Sequence, residues 1–375
     1  MTKSTEIDLR QAKSAREVIS HPRGGLFPVQ DILPNGEIIT VSRGGAGHLG
    51  QNGRLDITRS RDAGLTWTPP AVLIDSEQDD RNPAFGVTAA GTVIMAYMRQ
   101  ASYAEDGKYV PEIQNSDVCV VRSGDGGLNW TEPEYLDRAK YRHLSPYGRI
   151  ITLSDGTVLM PIYTAGGSPE LGPGSYFLAS NDDGKTWSEP KLIAGDMNEV
   201  SVIELPNGEL FAATRETARE HQRLWTCRST DKGETWSDVE LVTDDFQHPA
   251  DLILVDDKTL VLLYGNRQGP YRIEGKVSKN FGKTWEPKTL TLSGHLYGYD
   301  MPEKRRTDLG YPSAVIVPDE NKFVATYYVS PFPRVREHRK WTGVDSTPFY
   351  SPEGYMGISL SLDLTELRSL IGADE

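Results

Sequence analysis

An eight-residue phrase that recurs five times constrains the fold of this chain more than any other feature of its sequence. The copies are SRDAGLTW (60–67), SGDGGLNW (123–130), SNDDGKTW (180–187), STDKGETW (229–236) and a degenerate SKNFGKTW (278–285). Their terminal tryptophans are spaced by 63, 57, 49 and 49 residues. A period of roughly 50 residues is typical of a fold built from repeated four-stranded sheets, such as the blades of a propeller.

A second pattern lies between the octets, in which two apolar strands flank a tight polar turn. It occurs six times, as VQDILPNGEIITVS, FGVTAAGTVIMAYM, IITLSDGTVLMPIY, VIELPNGELFAATR, LILVDDKTLVLLYG and AVIVPDENKFVATYY. Three of the turns contain Asn-Gly or Asp-Gly, which favour β-hairpins because both turn residues accept a positive φ. The strands are apolar almost throughout, as expected for strands buried on both faces. Six hairpins and five octets predict an all-β fold, a six-bladed β-propeller whose last blade lacks its octet.

The residue types of the octet explain why it repeats. The Asp side chain can cap the backbone of its own turn, the Gly supplies a left-handed conformation, and the Trp fills an apolar gap beside its blade. We therefore expect the octets to carry the fold and the chemistry to lie elsewhere.

The net charge of −13 argues against a nucleic-acid or anionic-membrane partner, because both favour a basic surface. An anionic small ligand stays compatible with this charge if arginines are concentrated at one place. The first 30 residues contain no apolar core of signal-peptide length, and no later stretch is long and apolar enough to span a membrane. We expect a cytoplasmic protein in which an N-terminal extension, residues 1–21, closes onto a single propeller domain, residues 22–375.

The chain contains two cysteines, Cys119 and Cys227, which do not make a disulfide framework. Both precede an octet in β-like sequence, and we expect them to be buried free thiols. No Cys/His pattern or Asp cluster has the spacing of a metal site, so we expect neither a metal nor a cofactor.

The octet pattern S-x-D-x-G-x-T-W is the Asp-box, and five copies at blade spacing resemble the sialidase superfamily of six-bladed β-propellers. The resemblance extends from about residue 22 to about residue 365. It implies the propeller fold and a carbohydrate ligand, but it does not by itself name the substrate, since related propellers have other activities or none.

Blade four carries the clearest candidate residues. In a hairpin, residues at equal distances before and after the centre of the turn lie opposite each other, and reflection about Asn207 in this way pairs Glu199 with Arg215. The segment NEVSVIELPNGELFAATRE resembles the sialidase segment in which a glutamate precedes this hairpin and an arginine follows it. The resemblance implies that Glu199 assists the nucleophile and that Arg215 holds the substrate carboxylate. A glutamate–arginine pair on the surface of the hairpin is the structural alternative.

Blade six begins with DLGYPSAV, in which Tyr311 occupies the place of the nucleophilic tyrosine of the family. A sugar acid that carries its carboxylate on the anomeric carbon would repel an anionic nucleophile. A tyrosine is neutral until a base takes its proton, and Glu199 is the candidate base.

Blade five offers further ligand-binding candidates. Arg267 directly follows the second strand, where the resemblance implies another carboxylate-binding arginine, and Arg272 is the alternative. Two guanidinium groups from different blades can hold a carboxylate by paired hydrogen bonds. His248 and Asp251 open the same blade and are candidate contacts for substrate hydroxyls.

Blade one departs from the family pattern. Leu26 stands where the family has its first arginine, and Arg23 lies three residues earlier. The family's general acid, an aspartate in the loop after the second strand, has no counterpart here, and the loop offers Arg43 and His48 instead. Reflection about the Asn35-Gly36 turn pairs His48 with Arg23. Histidine can serve as an acid near neutral pH.

Blades two and three add residues at the same end of the hairpins. Asp80 and Arg81 precede the inner strand of blade two and Arg99 follows it. The resemblance to sialidases implies an acidic residue from this blade in the pocket, so Asp80 is a second candidate acid. In blade three, His143 and Tyr147 are candidate substrate contacts.

Together these residues predict an exo-acting glycoside hydrolase for a terminal acidic sugar, such as sialic acid. The candidate catalytic residues are Tyr311, Glu199, Asp80 and His48. The candidate substrate-binding residues are Arg23, Arg81, Arg215, Arg267 and His248. Two alternatives stay open: a glycosidase or lyase on the same fold that acts on a uronic acid or an arabinan end, and a sugar-binding propeller without turnover.

Overall fold

The computed structural model describes residues 6–113, 115–137, 141, 143–164, 171–268, 270–293, 305–306, 308–330, 334–335 and 354–373. These residues form six sheets arranged as the blades of a propeller, together with one two-stranded ribbon. The predicted all-β, six-bladed propeller is therefore confirmed.

The strands up to the end of blade three are β1 (Glu6–Asp8), β2 (Arg16–His21), β3 (Leu26–Ile32), β4 (Ile38–Gly44), β5 (Arg54–Ser60), β6 (Ala71–Ile74), β7 (Asp79–Val87), β8 (Val93–Gln100), β9 (Ser116–Ser123), β10 (Glu134–Tyr135), β11 (Leu144–Pro146), β12 (Gly148–Arg149), β13 (Ile151–Thr152), β14 (Val158–Thr164), β15 (Gly174–Ser180) and β16 (Lys191–Gly195).

The remaining strands are β17 (Met197–Glu204), β18 (Leu210–Glu216), β19 (Leu224–Ser229), β20 (Glu240–Leu241), β21 (Gln247–Leu254), β22 (Leu260–Asn266), β23 (Arg272–Ser278), β24 (Thr289–Thr291), β25 (Arg305–Arg306), β26 (Leu309–Val317), β27 (Lys322–Val329), β28 (Arg334–Val335) and β29 (Met356–Asp363). Among the described residues, the helices are two short 3-10 turns, Leu9–Gln11 and Pro111–Ile113, and the α-helix α1 (Leu364–Ile371). No helix in the described part of the chain is both long and apolar enough to cross a membrane.

The main strands of each blade pair antiparallel, and the first of them faces the propeller axis; β12 in blade two and β1 in blade five add parallel pairs. Blades one, four and five run in chain order as β3–β6, β17–β20 and β21–β24, while blade two is β7–β10 with β12 added along its inner edge. In blade three, β11 and β13 both pair with β14, β14 pairs with β15, and β15 pairs with β16. The inner strand β26 contacts both β21 and β3, so blade six closes the ring. The ends of these inner strands line one end of the axis.

The N-terminal strands complete the last two blades from outside. Strand β1 pairs in parallel with β24 of blade five, and β2 pairs antiparallel with β29, the third strand of blade six. Blade six therefore combines β26, β27 and β29 with a strand from the other end of the chain. The described part of the predicted extension, residues 1–21, consists largely of these two strands, and its boundary with the propeller stays a prediction.

The octets form one hydrogen-bonded turn, repeated around the ring. In the first copy, Asp62 accepts hydrogen bonds from the Thr66 N–H (2.9 Å) and hydroxyl (2.6 Å), while Ser60 Oγ accepts one from the Gly64 N–H (2.8 Å). Gly64 has φ +83°, and a Cβ there would lie 2.7 Å from the side chain of Val324 in blade six. The turn thus fastens its own blade and packs against the neighbouring one, which confirms its structural role.

The octet tryptophans are only partly buried, and each packs against a different hydrophobic cluster. Trp187, for example, packs against the cluster between blades two and three. The predicted packing is therefore confirmed, but the tryptophans stay partly exposed and do not fill fully buried gaps. The two cysteines are buried free thiols, as expected.

Five of the six inner strands have a bulge near their first residue. The paired register shifts between Leu26 and Val29, Arg81 and Ala84, Met197 and Val200, Gln247 and Ala250, and Gly310 and Ser313. Four of these bulges contain an X-Pro dipeptide, in keeping with the inability of proline to donate to a strand ladder. A bulge redirects the side chain at the strand end. The residues that directly precede the four prolines are Phe27, Asn82, His248 and Tyr311.

Candidate active site

Tyr311 and Glu199 form the centre of the candidate site. Tyr311 lies in the bulge of β26 with φ +54°, a conformation that is rare for a bulky side chain. Its hydroxyl donates a hydrogen bond to Glu199 Oε1 across the propeller axis. Tyr311 is 5% exposed and Glu199 is 4% exposed. Burial, reinforced by the charge of Glu199, raises the pKa of Tyr311 well above its usual value, so the resting side chain is a phenol with a carboxylate in contact.

Arg215 holds the other oxygen of Glu199. It extends from β18, adjacent to the strand that carries Glu199, and its NH1 donates to Oε2 over 2.7 Å. Burial opposes the arginine charge, but Glu199 holds the pKa of Arg215 above its ordinary value. Arg215 Nε is buried and has no acceptor among the described residues. This donor is therefore available to an anionic ligand.

Arg267 lies over the ring of the tyrosine. Its guanidinium carbon is 5.4 Å from the centre of the Tyr311 ring, and its Nε donates to the Leu309 carbonyl over 2.7 Å. Gly310 makes this approach possible, because a Cβ at that position would lie 2.9 Å from Arg267 NH2 and the residue has φ +140°. Two arginines from blades four and five thus lie beside the phenol and its carboxylate.

His248 is buried beside these two arginines. It is 1% exposed, and neither ring nitrogen has a hydrogen-bond partner among the described residues. Burial, together with the charges of Arg215 and Arg267, lowers the pKa of His248 well below its usual value. The imidazole is therefore neutral, and it has one donor and one acceptor for a ligand or water.

Aromatic rings surround Tyr311. The Phe27 ring lies 4.6 Å away, Tyr147 packs edge-on at 4.8 Å, and Tyr328 lies at 5.8 Å. The edge of Phe27 also meets the ring of His48, with 5.1 Å between the ring centres. These aromatic rings form an environment of low polarity, which strengthens the electrostatic interactions among the buried phenol, the carboxylate and the arginines.

Asp308 joins residues of three blades at the edge of this cluster. It accepts hydrogen bonds from the hydroxyls of Tyr328 (2.8 Å) and Tyr355 (3.2 Å). Its carboxylate oxygens lie 3.8 Å from Arg267 NH2 and 3.7 Å from His48 Nδ1. Asp308 therefore connects an arginine beside the phenol with a histidine of blade one.

Residues 40–324 match the BNR repeat-like domain. The chain belongs to the BNR repeat-like domain family. The chain is 24% identical over 339 residues to a sialidase of Bacteroides fragilis (strain YCH46). The aligned region covers 80% of this chain and 59% of that protein. The chain thus spans about three fifths of the length of that relative.

Solved structures share the fold of the BNR repeat-like chain. A protein of unknown function from Dyadobacter fermentans DSM 18053 superposes with a TM-score of 0.70 at 24% identity, over 93% of this chain and 100% of that one. A leech intramolecular trans-sialidase in complex with 2,7-anhydro-Neu5Ac superposes with a TM-score of 0.66 at 13% identity, over 98% of this chain and 71% of that one. The resemblance to the sialidase superfamily of six-bladed propellers is confirmed.

The structure of the BNR repeat-like chain places some predicted residues away from the phenol. Asp80 is fully buried and accepts hydrogen bonds from Arg99 Nε (3.0 Å) and the Ser76 N–H (2.7 Å), and within the described part of the chain it forms no hydrogen bond with Tyr311 or Glu199. Arg23 is exposed and forms no ion pair with any residue that the structure describes. The structure thus brings together Tyr311, Glu199, Arg215, Arg267 and His248, with His48 at the edge.

Arg81 occupies a neighbouring cluster between blades two and three. Its NH1 lies 3.6 Å from Asp79, and its Nε donates to Asn82 over 3.3 Å. Asn82 in turn donates to the hydroxyl of Tyr163 over 3.0 Å. Burial and the charge of Glu199 raise the pKa of Tyr163 to about 12, so this cluster adjoins the site.

Asp251 and Arg43 have structural contacts. Asp251 accepts hydrogen bonds from the Ala314 N–H (2.7 Å) and Arg149 (3.3 Å), which ties blades five, six and two together at the axis. Arg43 is fully buried, and it donates to Asp79 and to the carbonyl of Gly47, so it fixes the loop that carries His48.

Sequence reasoning missed Phe27, Tyr328 and Asp308 as site residues. The repeated X-Pro dipeptide would have indicated Phe27, because it shares the bulge position of Tyr311 and His248. No group of three or more His, Cys, Asp or Glu side chains within the described ranges could hold a metal ion.

Proposed function

We propose that this protein is an exo-acting glycoside hydrolase that releases a terminal sugar bearing a carboxylate, with sialic acid as the first candidate. The observation that carries the proposal is the hydrogen bond from the buried Tyr311 hydroxyl to Glu199. A phenol in contact with a buried carboxylate is a nucleophile with its base already in place. The sialidase relatives and the shared fold support a glycosidase-like enzyme.

The proposed reaction proceeds in two steps at the anomeric carbon. Tyr311 Oη attacks this carbon while Glu199 takes the phenolic proton and the glycosidic C–O bond breaks, which leaves the sugar bonded to the phenol oxygen as an aryl glycoside. Water then attacks the same carbon, and the phenolate leaves and regains its proton from Glu199. Two displacements retain the anomeric configuration.

The charge pattern supports an anionic substrate. Arg267 lies over the ring of the phenol, Arg215 shares Glu199 with its hydroxyl, and Arg215 Nε has no acceptor among the described residues. Guanidinium groups match carboxylates through paired N–H donors, while a neutral tyrosine avoids the repulsion that a carboxylate nucleophile would meet. The two arginines would therefore hold the sugar carboxylate while Tyr311 attacks beside it.

The test of hydrolysis is the release of 4-nitrophenol from the 4-nitrophenyl α-glycoside of N-acetylneuraminic acid, with the corresponding β-glucuronide and β-glucoside as comparisons. We expect turnover of an acidic glycoside and none of the glucoside. Tyr311→Phe should lower kcat by at least about 1,000-fold, because it removes the nucleophilic oxygen and keeps the ring. The matched control is Tyr176→Phe in blade three, whose hydroxyl donates to the Gly172 carbonyl, and it should keep wild-type turnover. Full activity of Tyr311→Phe, or saturable binding of acidic sugars without product release, would contradict the proposal.

Arg215→Lys tests the carboxylate contact separately. Lysine keeps the positive charge but loses the planar pair of donors, so the affinity for acidic sugars should fall by about tenfold or more. Titration calorimetry with the free sugar acid and with its methyl ester measures this loss. The ester should bind weakly to both proteins, and an unchanged affinity of Arg215→Lys for the acid would exclude the contact.

A further inference from the structure

We propose that His48 is the general acid of the reaction and that Asp308 is the residue that positions it and favours its protonated form. The inference rests on the proposed hydrolysis and names the proton donor that the Tyr311–Glu199 pair does not supply. A leaving group that departs without a proton must leave as an alkoxide, so a donor is needed for ordinary glycosides.

His48 stands at the place where a leaving group would exit. It lies in the bend after β4, and its ring meets the edge of Phe27, which packs on Tyr311 at 4.6 Å. The His48 side chain is 23% exposed, whereas the tyrosine is 5% exposed. In an exo-acting enzyme the terminal sugar is buried and the leaving group points outward. The acid is therefore expected on the solvent side of the nucleophile, and His48 is the more exposed of the two side chains.

Asp308 fixes the orientation of the imidazole. Its Oδ2 is 3.7 Å from His48 Nδ1, a separation that one small movement would convert into a hydrogen bond. The ring then presents Nε2 to a leaving-group oxygen. Asp308 is itself held by the hydroxyls of Tyr328 and Tyr355 at 2.8 and 3.2 Å. The carboxylate is thus fastened at both oxygens and cannot turn away from the histidine without breaking these bonds.

The charged and titratable groups around Asp308 set the electrostatic balance. His48, Arg267, Tyr328 and Tyr355 face the carboxylate, and the arginine is 3.8 Å away. The negative charge of Asp308 favours imidazolium, and Arg267 offsets part of this effect. The same carboxylate contacts the arginine beside Tyr311, so Asp308 links the acid to the substrate-binding side of the pocket.

The proton transfers balance over the two steps. As Tyr311 attacks, His48 gives its Nε2 proton to the glycosidic oxygen, which leaves as an alcohol. Water then gives a proton to the neutral His48 as it attacks the anomeric carbon, and the imidazolium is restored. Glu199 takes the phenolic proton in the first step and returns it in the second.

The kinetic test compares two leaving groups of the same acidic sugar, 4-nitrophenol and methanol, through kcat/KM, which reports the first step. His48→Gln should lower kcat/KM for the methyl glycoside by at least about 100-fold, the usual contribution of a general acid. The loss should be at least about 30-fold smaller for 4-nitrophenol, which leaves without a proton. Equal losses for the two substrates, or no loss for the methyl glycoside, would overturn the role of His48.

The pairing with Asp308 is tested by the titration of His48, followed by NMR of protein labelled at its seven histidines. The His48 signal is the one absent from His48→Gln. Its midpoint should fall by about one pH unit in Asp308→Asn, because the anion that favours imidazolium is lost. The alkaline limb of kcat/KM for the methyl glycoside should move to lower pH by the same amount. Tyr355→Phe removes one hydrogen bond to Asp308 but keeps its charge, so the midpoint should stay nearly unchanged.

The outcomes separate this inference from the proposed hydrolysis. If Tyr311→Phe is inactive on both glycosides while His48→Gln affects both equally, the tyrosine mechanism stands and the histidine role falls. If the wild-type protein hydrolyses neither glycoside, the proposed function falls, and so does the acid role of His48. An unchanged His48 midpoint in Asp308→Asn overturns the pairing in either case.

Discussion

The ion pair between Glu199 and Arg215 should be strongly coupled, and a double-mutant cycle measures that coupling. The shortest N–O distance is 2.7 Å, and the side chains are 4% and 16% exposed. Two charges centred about 4 Å apart attract by about 4 kcal/mol at an effective dielectric constant of about 20. The partial exposure of the arginine screens some of this, so we expect a coupling of about 2–3 kcal/mol in the free energy of unfolding. The variants are Glu199→Gln, Arg215→Met and the double mutant, unfolded in urea and followed by tryptophan fluorescence.

The chain offers a matched control in Arg122 and Glu134, which form the same type of pair on the surface. Their N–O distance is 2.9 Å, but the glutamate is 57% exposed. The cycle of Arg122→Met and Glu134→Gln should give a coupling of about 0.5 kcal/mol or less. If the two cycles give the same small value, the Glu199–Arg215 pair is screened by water, and the buried, pre-organised base that we describe does not exist.

Three further predictions concern the fold and the support of the site. Trp187→Ala should lower the free energy of unfolding by about 2–3 kcal/mol, less than for a fully buried aromatic, and should leave kcat/KM unchanged; no change in urea unfolding would mean that the octet does not pack on the neighbouring blade. Gly310→Ala should lower kcat/KM by about tenfold or more, because the new Cβ displaces Arg267, which it would approach to 2.9 Å. Gly208→Ala is its control, since a Cβ in that hairpin turn, at φ +82°, has no atom within 4 Å, and it should keep full kcat/KM. Hydrogen bonds from the octet turn, led by Thr186, lower the pKa of Asp182 to about 2, so its stabilising effect is complete above about pH 4 and is lost as the pH falls towards 2. Asp182→Asn should therefore unfold at lower urea concentration than wild type at pH 6 but not at pH 2, and an equal difference at both pH values would contradict this.

The sequence predicted the ring of blades because its signals are local and repeated. Each octet contains the residues that make its own turn, as the bonds of Asp62 and Ser60 show. The reflection about Asn207 also succeeded in bringing Glu199 and Arg215 together, because the tight turn of residues 206–208 sets the register of the strands beside it.

The site residues were harder to predict at positions where the direction of a side chain at the end of a strand decides whether it joins the cluster around Tyr311. Asp80 lies opposite Arg99 in the ladder, as the reflection about the turn implies, but their ion pair lies outside the cluster around Tyr311. A shift of one residue exchanges the two faces of a strand, and the bulge between Arg81 and Ala84 makes such a shift. Sequence periodicity alone does not reveal that shift.

Asp308 was missed for a different reason. Its contact with His48 joins residues 260 positions apart in different blades, so no local pattern connects them. Only the closure of the ring brings the start of blade six beside the loop of blade one.

The most direct test of the account is to trap the proposed intermediate on Tyr311. A glycosyl fluoride of the acidic sugar with a second fluorine next to the anomeric carbon keeps a good leaving group but slows the second step, so the glycosylated enzyme should accumulate. Intact mass spectrometry should show one added sugar per chain, and peptide mapping should place it on Tyr311. Arg215→Lys should label more slowly, and Tyr311→Phe should not label. Hydrolysis of the parent glycoside with no adduct on Tyr311, or with the adduct on another residue, would contradict the account.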